Sequence, residues 1–201
     1  MIPLAIVLGA YLLGGVPFGY LLVRLTTGRD VRSMGSGNIG ATNVLRTTGR
    51  GLGILTLLLD IAKGYFAVWG AGQLSGQDPL WMSAAALAVL FGHAYPALLK
   101  FQGGKAVASF VGAFLCLTPV ALAATLVIFV VTVAWSRFIS LGSILCACLF
   151  PLVVWLLVHP PLPVLAAATI ASTLVVWRHK SNIARLRAGT ENVFSFGGRN
   201  S

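Results

Sequence analysis

Residues 107–135 read VASFVGAFLCLTPVALAATLVIFVVTVAW and contain no charged side chain. A membrane span takes about 20 apolar residues, so this stretch is far too long and too apolar for a helix on a soluble protein. Thr118 and Pro119 lie near its middle, where a proline and the residue before it tend to end a helix. We therefore predict two short membrane segments that meet at this point, either as two spans or as a re-entrant hairpin.

The composition of the whole chain agrees with a membrane location. Of its 201 residues, 58% are apolar and 9% are charged, whereas an ordinary soluble domain has roughly 25% charged residues. So few charges cannot supply a soluble surface, and such high hydrophobicity excludes intrinsic disorder. The sequence predicts an all-α integral membrane protein of about seven transmembrane helices, or six and a re-entrant hairpin. The other apolar stretches cover residues 2–23, 51–72, 80–99, 139–158 and 162–177.

The distribution of basic residues predicts the orientation. Positive residues in short loops mark the cytoplasmic side, and here they fall in four connections that begin at Arg24, Lys100, Arg137 and Arg178. If the long apolar stretch is divided at its Thr-Pro pair, 13 of the 14 bases lie on one side, and Lys63 is the exception. We therefore predict an N-terminus outside and a C-terminus inside.

A first polar cluster, MGSGNIGATNVLR at residues 34–46, interleaves glycine with hydroxyl, amide and guanidinium groups. It contains a formal G-x-G-x-x-G, but a dinucleotide fingerprint needs a preceding strand, and here a membrane span precedes it. Glycines let the backbone approach an anion, and Arg46 supplies a bidentate cation. We predict a phosphate-binding loop, with a plain flexible loop as the alternative. The candidate ligands are Ser36, Gly37, Asn38, Gly40, Thr42, Asn43 and Arg46.

Two further clusters combine cations with glycine, amide or imidazole groups. Lys105 follows a Gly-Gly turn at a predicted helix start, which suits an anion, although the P-loop pattern is incomplete. His179 and Asn182 are three residues apart and share a face if they are helical. Their neighbour Arg178 is interpreted as a cation at the membrane surface. Ser140 and Ser143 could equally cap the next helix or line the same polar site.

Two charges lie inside the second predicted span. Asp60 and Lys63 are three residues apart, and charges within a membrane are costly and usually purposeful. A mutually neutralising structural pair is the preferred interpretation, and a proton relay is the alternative. His93, near the end of the third span, is expected to be a packing residue. The chain has no H-x₄-D pattern, so no His–Asp dyad is expected.

Taken together, these motifs resemble one family closely. The chain is similar to the bacterial acyl-phosphate:glycerol-3-phosphate acyltransferases (the PlsY family), which usually have glycine at the position of Ala106 and threonine at that of Ser109. The resemblance runs from Ala10 to Glu191. The matching motifs are GSGNIGATNVLR at 35–46, LLDIAKG at 58–64, GHAYP at 92–96, FQGGKAVAS at 101–109, SRFISLGS at 136–143 and RHKSNIARLRAGTE at 178–191.

The resemblance implies a single membrane acyltransferase domain over residues 1–201, in the bacterial inner membrane and with its site on the cytoplasmic face. An acyl chain would pass from acyl phosphate to the sn-1 hydroxyl of glycerol 3-phosphate, giving lysophosphatidic acid and phosphate in the first step of phospholipid synthesis. The implied proton acceptor is a substrate phosphate, with His179 as the alternative. The implied site residues are Arg46, Lys105, His179 and Asn182 as catalytic groups, with Ser36, Asn38, Thr42, Asn43 and Ser143 as substrate binders.

Other functions and partners are less consistent with the sequence. A transporter for a phosphorylated solute would explain the charges in a span, but its site belongs at the midplane and often between repeats, and no repeat is present. A scaffold for anionic lipids would not need the interleaved glycine, amide and hydroxyl groups. The cysteines have no CxxC spacing, so no metal site is predicted. We expect the bilayer as partner, no cofactor and no nucleic acid, in a monomer or an undefined oligomer.

Overall fold

The computed structural model describes residues 2–194, and within them it contains ten α-helices and no β-strand. The predicted all-α fold is therefore confirmed. Arg199, the last base of the C-terminal tail, lies outside the described residues. The helices are α1 Ile2–Gly14, α2 Phe18–Thr27, α3 Ala41–Thr48, α4 Arg50–Ser75, α5 Pro79–Ala94, α6 Val107–Leu117, α7 Pro119–Ser136, α8 Ile139–Val158, α9 Leu162–Arg178 and α10 Lys180–Arg187.

The apolar helices account for the predicted spans, with one difference in length. Five stretches are long and apolar enough to cross a bilayer, namely α1 with α2, α4, α5, α7 and α8. A sixth consists of α9 and α10, which are bent by 54° at His179. The seventh apolar segment, α6, has only 11 residues, about 16 Å of helix, or roughly half of the hydrocarbon core. α6 is therefore shorter than a full membrane span.

The division between α6 and α7 lies where the sequence predicts it. α6 ends at Leu117, and Pro119 is the first residue of α7, where its missing N–H costs no helical hydrogen bond. Lys105 before α6 and Ile139 after α7 line one cavity. The two helices therefore return the chain to the face that it left, as the distribution of bases requires. That this face is cytoplasmic stays a prediction.

Close helix packing sets the position of α6. Gly64 of α4 and Gly112 of α6 each lie against the backbone of the facing helix, where a Cβ would collide with a carbonyl. Gly14 of α1 and Gly92 of α5 make the same kind of contact between their helices. Small residues allow membrane helices to approach to backbone contact. The start of α6, and with it Lys105, is thereby fixed relative to α4.

The break between α1 and α2 explains why Lys63 lies within a span and away from the other bases. Pro17 interrupts the helix, so the chain here lacks part of the regular helical hydrogen bonding. Lys63, from the middle of α4, donates from Nζ to the carbonyl of Val16 at 3.0 Å and pairs with Asp60 at 2.8 Å. Its ammonium also lies 5.6 Å from the centroid of the Phe18 ring. Lys63 is therefore a buried link between α4 and this break, which favours the structural interpretation of the charged pair.

Candidate active site

One cavity of about 550 Å³ lies where the polar clusters meet. Its wall combines the loop before α3, the start of α6, the start of α8 and the junction of α9 with α10. Each of these segments carries one of the motifs found in the sequence. The predicted site residues that line the cavity are Ser36, Asn38, Gly40, Thr42, Asn43, Arg46, Lys105, Ser143, His179 and Asn182.

Three helices present their N-terminal ends to this cavity. The first turns of α3, α6 and α8 contribute residues 40–42, 106–108 and 139–140 to its wall. The first N–H groups of a helix have no intrahelical acceptor and carry the positive end of the helix dipole. Such ends bind anions, so the backbone alone makes this wall suited to phosphate.

Cationic side chains add to the positive potential of the wall. Arg46, Lys105 and Arg185 all line the cavity. The Arg185 guanidinium pairs with Glu191 at 2.9 Å. Within residues 2–194, no ion pair joins Arg46 or Lys105 to a carboxylate. These two cations are therefore the ones available to a bound anion.

The ammonium of Lys105 titrates within the physiological range. Burial lowers the pKa of Lys105 to about 8. The carboxylate of Glu191 opposes this change, whereas the nearby charges of Arg185, Arg46 and Arg178 lower the pKa further. A bound phosphate dianion would favour the charged form by direct attraction. Lys105 is therefore largely charged at pH 7, and a bound anionic substrate would extend the charged form to higher pH.

The backbone conformation at Ala106 explains why the family that this sequence resembles usually has glycine at that position. Ala106 is fully buried and has φ of 62°, a left-handed conformation that costs an L-residue with a Cβ about 1–2 kcal/mol. Glycine adopts this conformation without that penalty. The family pattern thus reflects the turn that leads into α6, and the alanine of this chain retains the same turn.

Asn43 lines the cavity but uses its side chain to shape the first loop. Its Nδ2 donates to three loop carbonyls, those of Val31, Met34 and Asn38, at 3.3, 3.0 and 2.8 Å. Its Oδ1 accepts the N–H of Ser36 at 2.9 Å. Both polar atoms are thus engaged within the protein, and the structure favours a loop-organising role over direct contact with substrate.

Gly37 is the one predicted site residue that the structure leaves out of the cavity wall. Its N–H donates to the carbonyl of Met34 at 2.9 Å, and its φ is 70°. Glycine is required here because the turn needs a left-handed residue. The structure thus gives Gly37 a role in the turn, and its contact with substrate stays a prediction, whereas Gly40, at the start of α3, does line the cavity.

His179 and Asn182 lie at and just after the bend between α9 and α10. His179 Nδ1 is 2.7 Å from the carbonyl of Val175; a carbonyl can only accept, so Nδ1 carries the proton and Nε2 is the acceptor of the neutral ring. Asn182 donates from Nδ2 to Glu191 at 2.9 Å. Its Oδ1 is buried and has no hydrogen-bond partner among the described residues. Both side chains therefore offer an acceptor at the cavity.

The two serines of α8 line the cavity and do not cap the helix. The N-cap of α8 is Phe138, and no side chain bonds to the cap position. Ser143 donates to the carbonyl of Ile139 at 2.9 Å, one turn earlier. The hydroxyl of Ser140 is buried without a partner in the described part of the chain. Of the two interpretations left open by the sequence, the structure supports the polar wall.

A histidine and an aspartate, His93 and Asp60, meet in the wall of the cavity, although no sequence pattern pairs them. Asp60 Oδ1 and His93 Nδ1, from α4 and α5, are 3.6 Å apart, and the Ser109 hydroxyl is 3.4 Å from the same nitrogen. The prediction that no such dyad is available is wrong, because it considered only spacing along the chain. A Cβ on Gly104 would collide with His93 Nε2. The ring therefore lies against the Lys105 loop and also lines the cavity.

Comparisons with known proteins show the family of this chain. The family model described as glycerol-3-phosphate acyltransferase matches residues 4–189. The chain belongs to that family. It is 46% identical to the glycerol-3-phosphate acyltransferase of Geotalea daltonii, over 95% of this chain and 97% of that one. It is 48% identical to that of Geobacter sulfurreducens, over 92% and 94% of the two chains.

Solved structures show the same fold. The crystal structure of PlsY (YgiH), an integral membrane glycerol 3-phosphate acyltransferase, in its glycerol 3-phosphate form matches with a TM-score of 0.91 at 35% identity and covers 96% of each chain. The lysophosphatidic acid form of the same protein gives a TM-score of 0.88 at 34% identity, over 96% of this chain and 95% of that one. The predicted family and the predicted membrane fold are therefore confirmed, and the chain is a glycerol-3-phosphate acyltransferase.

The inner walls of the acyltransferase cavity are apolar. α4 and α7 both contribute to them, and Leu57 and Leu126 of these helices are about 40% exposed. The apolar lining residues are Ile54, Leu57 and Ile61 of α4, Phe110 and Val111 of α6, Leu122, Leu126 and Phe129 of α7, and Cys146 and Ala147 of α8.

Two residues of this acyltransferase acquire a role that the sequence interpretation missed. Glu191 accepts from Asn182 and Arg185 and so folds residues after α10 back onto the cavity. Arg178 bonds to the loop before α6 rather than extending towards the membrane surface. The sequence offers only weak indications of these two roles. Glu191 is the only acid in a basic tail, and Arg178 directly precedes the motif histidine.

Proposed function

We propose that this enzyme transfers an acyl chain from acyl phosphate to the sn-1 hydroxyl of glycerol 3-phosphate, releasing lysophosphatidic acid and inorganic phosphate. The observation that carries the proposal is that one cavity combines a cationic wall with an apolar interior. Acyl phosphate combines a phosphate with an alkyl chain, and glycerol 3-phosphate brings a second phosphate. Arg46 and Lys105, together with three helix N-termini, suit two phosphate groups.

The reaction asks mainly for positioning, because acyl phosphate is already an activated mixed anhydride. The sn-1 oxygen attacks the carbonyl carbon, the bond from that carbon to the bridging oxygen breaks, and phosphate leaves with the electron pair. The hydroxyl proton passes to a phosphate oxygen or to Nε2 of His179. Lys105 and the start of α6 stabilise negative charge on the carbonyl oxygen and the leaving phosphate. The unpartnered Oδ1 of Asn182 is suited to accept a glycerol hydroxyl.

The donor assignment is tested by direct assay of the purified enzyme. With glycerol 3-phosphate and palmitoyl phosphate, we expect equal amounts of lysophosphatidic acid and inorganic phosphate. Palmitoyl-CoA should give neither product, because it carries no phosphate next to the reacting carbonyl. Turnover with palmitoyl-CoA and none with palmitoyl phosphate would overturn the donor assignment and leave glycerol 3-phosphate as the acceptor.

The same proposal places the cavity on the cytoplasmic face of the bacterial inner membrane. The four basic connections predict this side, and both phosphorylated substrates are cytoplasmic. A cysteine introduced by Thr190→Cys should react with a membrane-impermeant maleimide only after the cells are opened. The native exposed thiol is Cys148, inside α8, so the parent protein is the matched control. Labelling of intact spheroplasts at residue 190 would contradict the orientation.

The pKa of Lys105 predicts a pH dependence with a defined sign. Because the pKa of Lys105 is about 8, the ammonium is charged at pH 7 and loses its proton as the pH rises. Glycerol 3-phosphate stays a dianion over this range, since the second pKa of a phosphate monoester is about 6. We expect kcat/KM for glycerol 3-phosphate to be flat between about pH 7 and pH 7.5 and to fall by up to about tenfold per pH unit above the pKa.

The variant Lys105→Arg is the control for this pH profile. Arginine stays protonated throughout, so the decline above pH 8 should disappear even if the overall rate is lower. Hydrolysis of acyl phosphate without enzyme is measured at each pH and subtracted. An alkaline decline that persists unchanged in Lys105→Arg would show that another group is responsible.

A further inference from the structure

Arg178 connects two segments of the site without lining the cavity. Its Nε donates to the carbonyl of Gly104 at 3.0 Å, and its Nη2 donates to that of Gly103 at 2.8 Å. These partners are more than 70 residues away in sequence. Lys105 follows Gly104 directly, and His179 follows Arg178 directly. A single guanidinium thus joins the segment that carries Lys105 to the segment that carries His179.

The surroundings hold this guanidinium in place. It lies 5.1 Å from the centroid of the Tyr95 ring, a distance typical of a cation–π contact. The carbonyl of Tyr95 in turn accepts the hydroxyl of Tyr11 at 2.8 Å. The planar fork of an arginine has its donors in fixed directions, so two adjacent carbonyls that bind it are fixed in orientation. A lysine could satisfy them only with a flexible point charge.

We propose that Arg178 is a positioning residue that sets the placement of Lys105 relative to His179 and Asn182 during acyl transfer. The loop also donates from Gly103 and Gly104 to the carbonyls that end α5, at 3.2 and 3.1 Å, so its backbone is held from both sides. Misplacement of a catalytic group by about 1 Å can cost about a hundredfold in rate. Arg178 therefore contributes to the reaction through Lys105 and makes no contact with substrate.

Lys180 offers a matched control from the same segment. It is exposed, it does not line the cavity, and its ammonium lies 5.4 Å from the centroid of the Trp177 ring. Lys180→Met removes a cation two residues from Arg178 without touching the loop before α6. Its kinetics should match those of the parent enzyme within about threefold.

The test compares Arg178→Met, Arg178→Lys and Arg178→Ala in the full-length enzyme with palmitoyl phosphate and glycerol 3-phosphate. We expect Arg178→Met to lower kcat/KM about a hundredfold, and Arg178→Lys to lie between it and the parent. Methylguanidine should raise the activity of Arg178→Ala at least tenfold. It should not raise the activity of Lys105→Met. The alkaline limit of the pH profile should move upwards in Arg178→Met, because a cation near Lys105 is lost while Arg46, Arg185 and Glu191 remain.

This assay rests on the proposed donor, so a second readout is independent of it. Glycerol 3-phosphate binding, followed as the rise in melting temperature with ligand, should weaken in Arg178→Met and not in Lys180→Met. If the parent enzyme is inactive with acyl phosphate, the donor proposal fails and this binding series still tests Arg178. Parent-like rates and binding in Arg178→Met would overturn the proposal. The proposal would also be overturned if Arg178→Ala folds and loses activity, and saturating methylguanidine restores none of that activity.

Discussion

The variant Lys105→Met is expected to lower kcat/KM for acyl transfer by about a thousandfold. Methionine keeps much of the side-chain volume and removes only the cation. Removing one preorganised electrostatic group from an active site costs about 10² to 10³ in rate, and Lys105 also holds a substrate phosphate in our proposal. The cation lies at the start of α6 without a carboxylate partner among the described residues. Steady-state kinetics with both substrates varied will measure the loss.

The matched comparison is Arg46→Met in the same cavity. Arg46 is exposed, so solvent screens its charge more strongly than that of the partly buried Lys105. We expect Arg46→Met to raise KM for glycerol 3-phosphate by about ten- to a hundredfold, with a smaller change in kcat. Equal kinetic effects of the two substitutions would contradict the distinction between them. Unchanged kinetics in Lys105→Met would remove Lys105 from the site altogether.

The variant Lys63→Met is expected to destabilise the folded protein by about 3–5 kcal/mol, because removing one partner of a buried ion pair leaves the other charge uncompensated. Asp60 would stay buried but would lose its ion pair with Lys63. The titratable group left beside its carboxylate would be His93, at 3.6 Å. The carbonyl of Val16 at the break between α1 and α2 would also lose a donor. Unfolding by denaturant in detergent micelles, read as the shift in midpoint, measures the effect.

The double variant Asp60→Asn with Lys63→Met separates the two interpretations of this pair. A neutral pair leaves no buried charge, so we expect it to recover at least half of the stability lost by Lys63→Met. If the pair is structural, the folded double variant should keep most of its acyltransferase activity. Loss of activity at near-parental stability would instead support a proton relay. A single variant within 1 kcal/mol of the parent would show that the pair contributes little to folding.

Local sequence patterns predicted the features of the fold that depend on short stretches of chain. The length of an apolar run is set against the thickness of the bilayer, so the span boundaries follow from composition. Pro119 breaks the longest run because a proline lacks an amide hydrogen wherever it occurs. The glycine, amide and hydroxyl groups of residues 34–46 predicted a loop at the cavity for an equally local reason. Where Asn43 directs its side chain is a tertiary matter, and there the sequence was uninformative.

Contacts between distant residues escaped the sequence interpretation. Asp60 and His93 meet because α4 and α5 pack side by side, and no spacing along the chain encodes that distance. The role of Gly37 in the turn was not predicted, because a glycine needed for a turn and a glycine needed for close approach look alike in a sequence. Arg178 resembles any cation at the end of a membrane helix until its two carbonyl partners are seen.

The sequence by itself determined that this protein lies in a membrane, which residues form its apolar helices, and that its connections carry cations interleaved with glycine, amide and hydroxyl groups. Those properties follow from hydropathy, charge and side-chain chemistry, which each residue has regardless of its neighbours in space. Only the tertiary structure decided that the starts of α3, α6 and α8 meet Lys105 and His179 at one cavity with apolar inner walls. The reason is that this convergence depends on backbone contacts such as those at Gly64 and Gly112, which fix helices relative to one another across the bilayer.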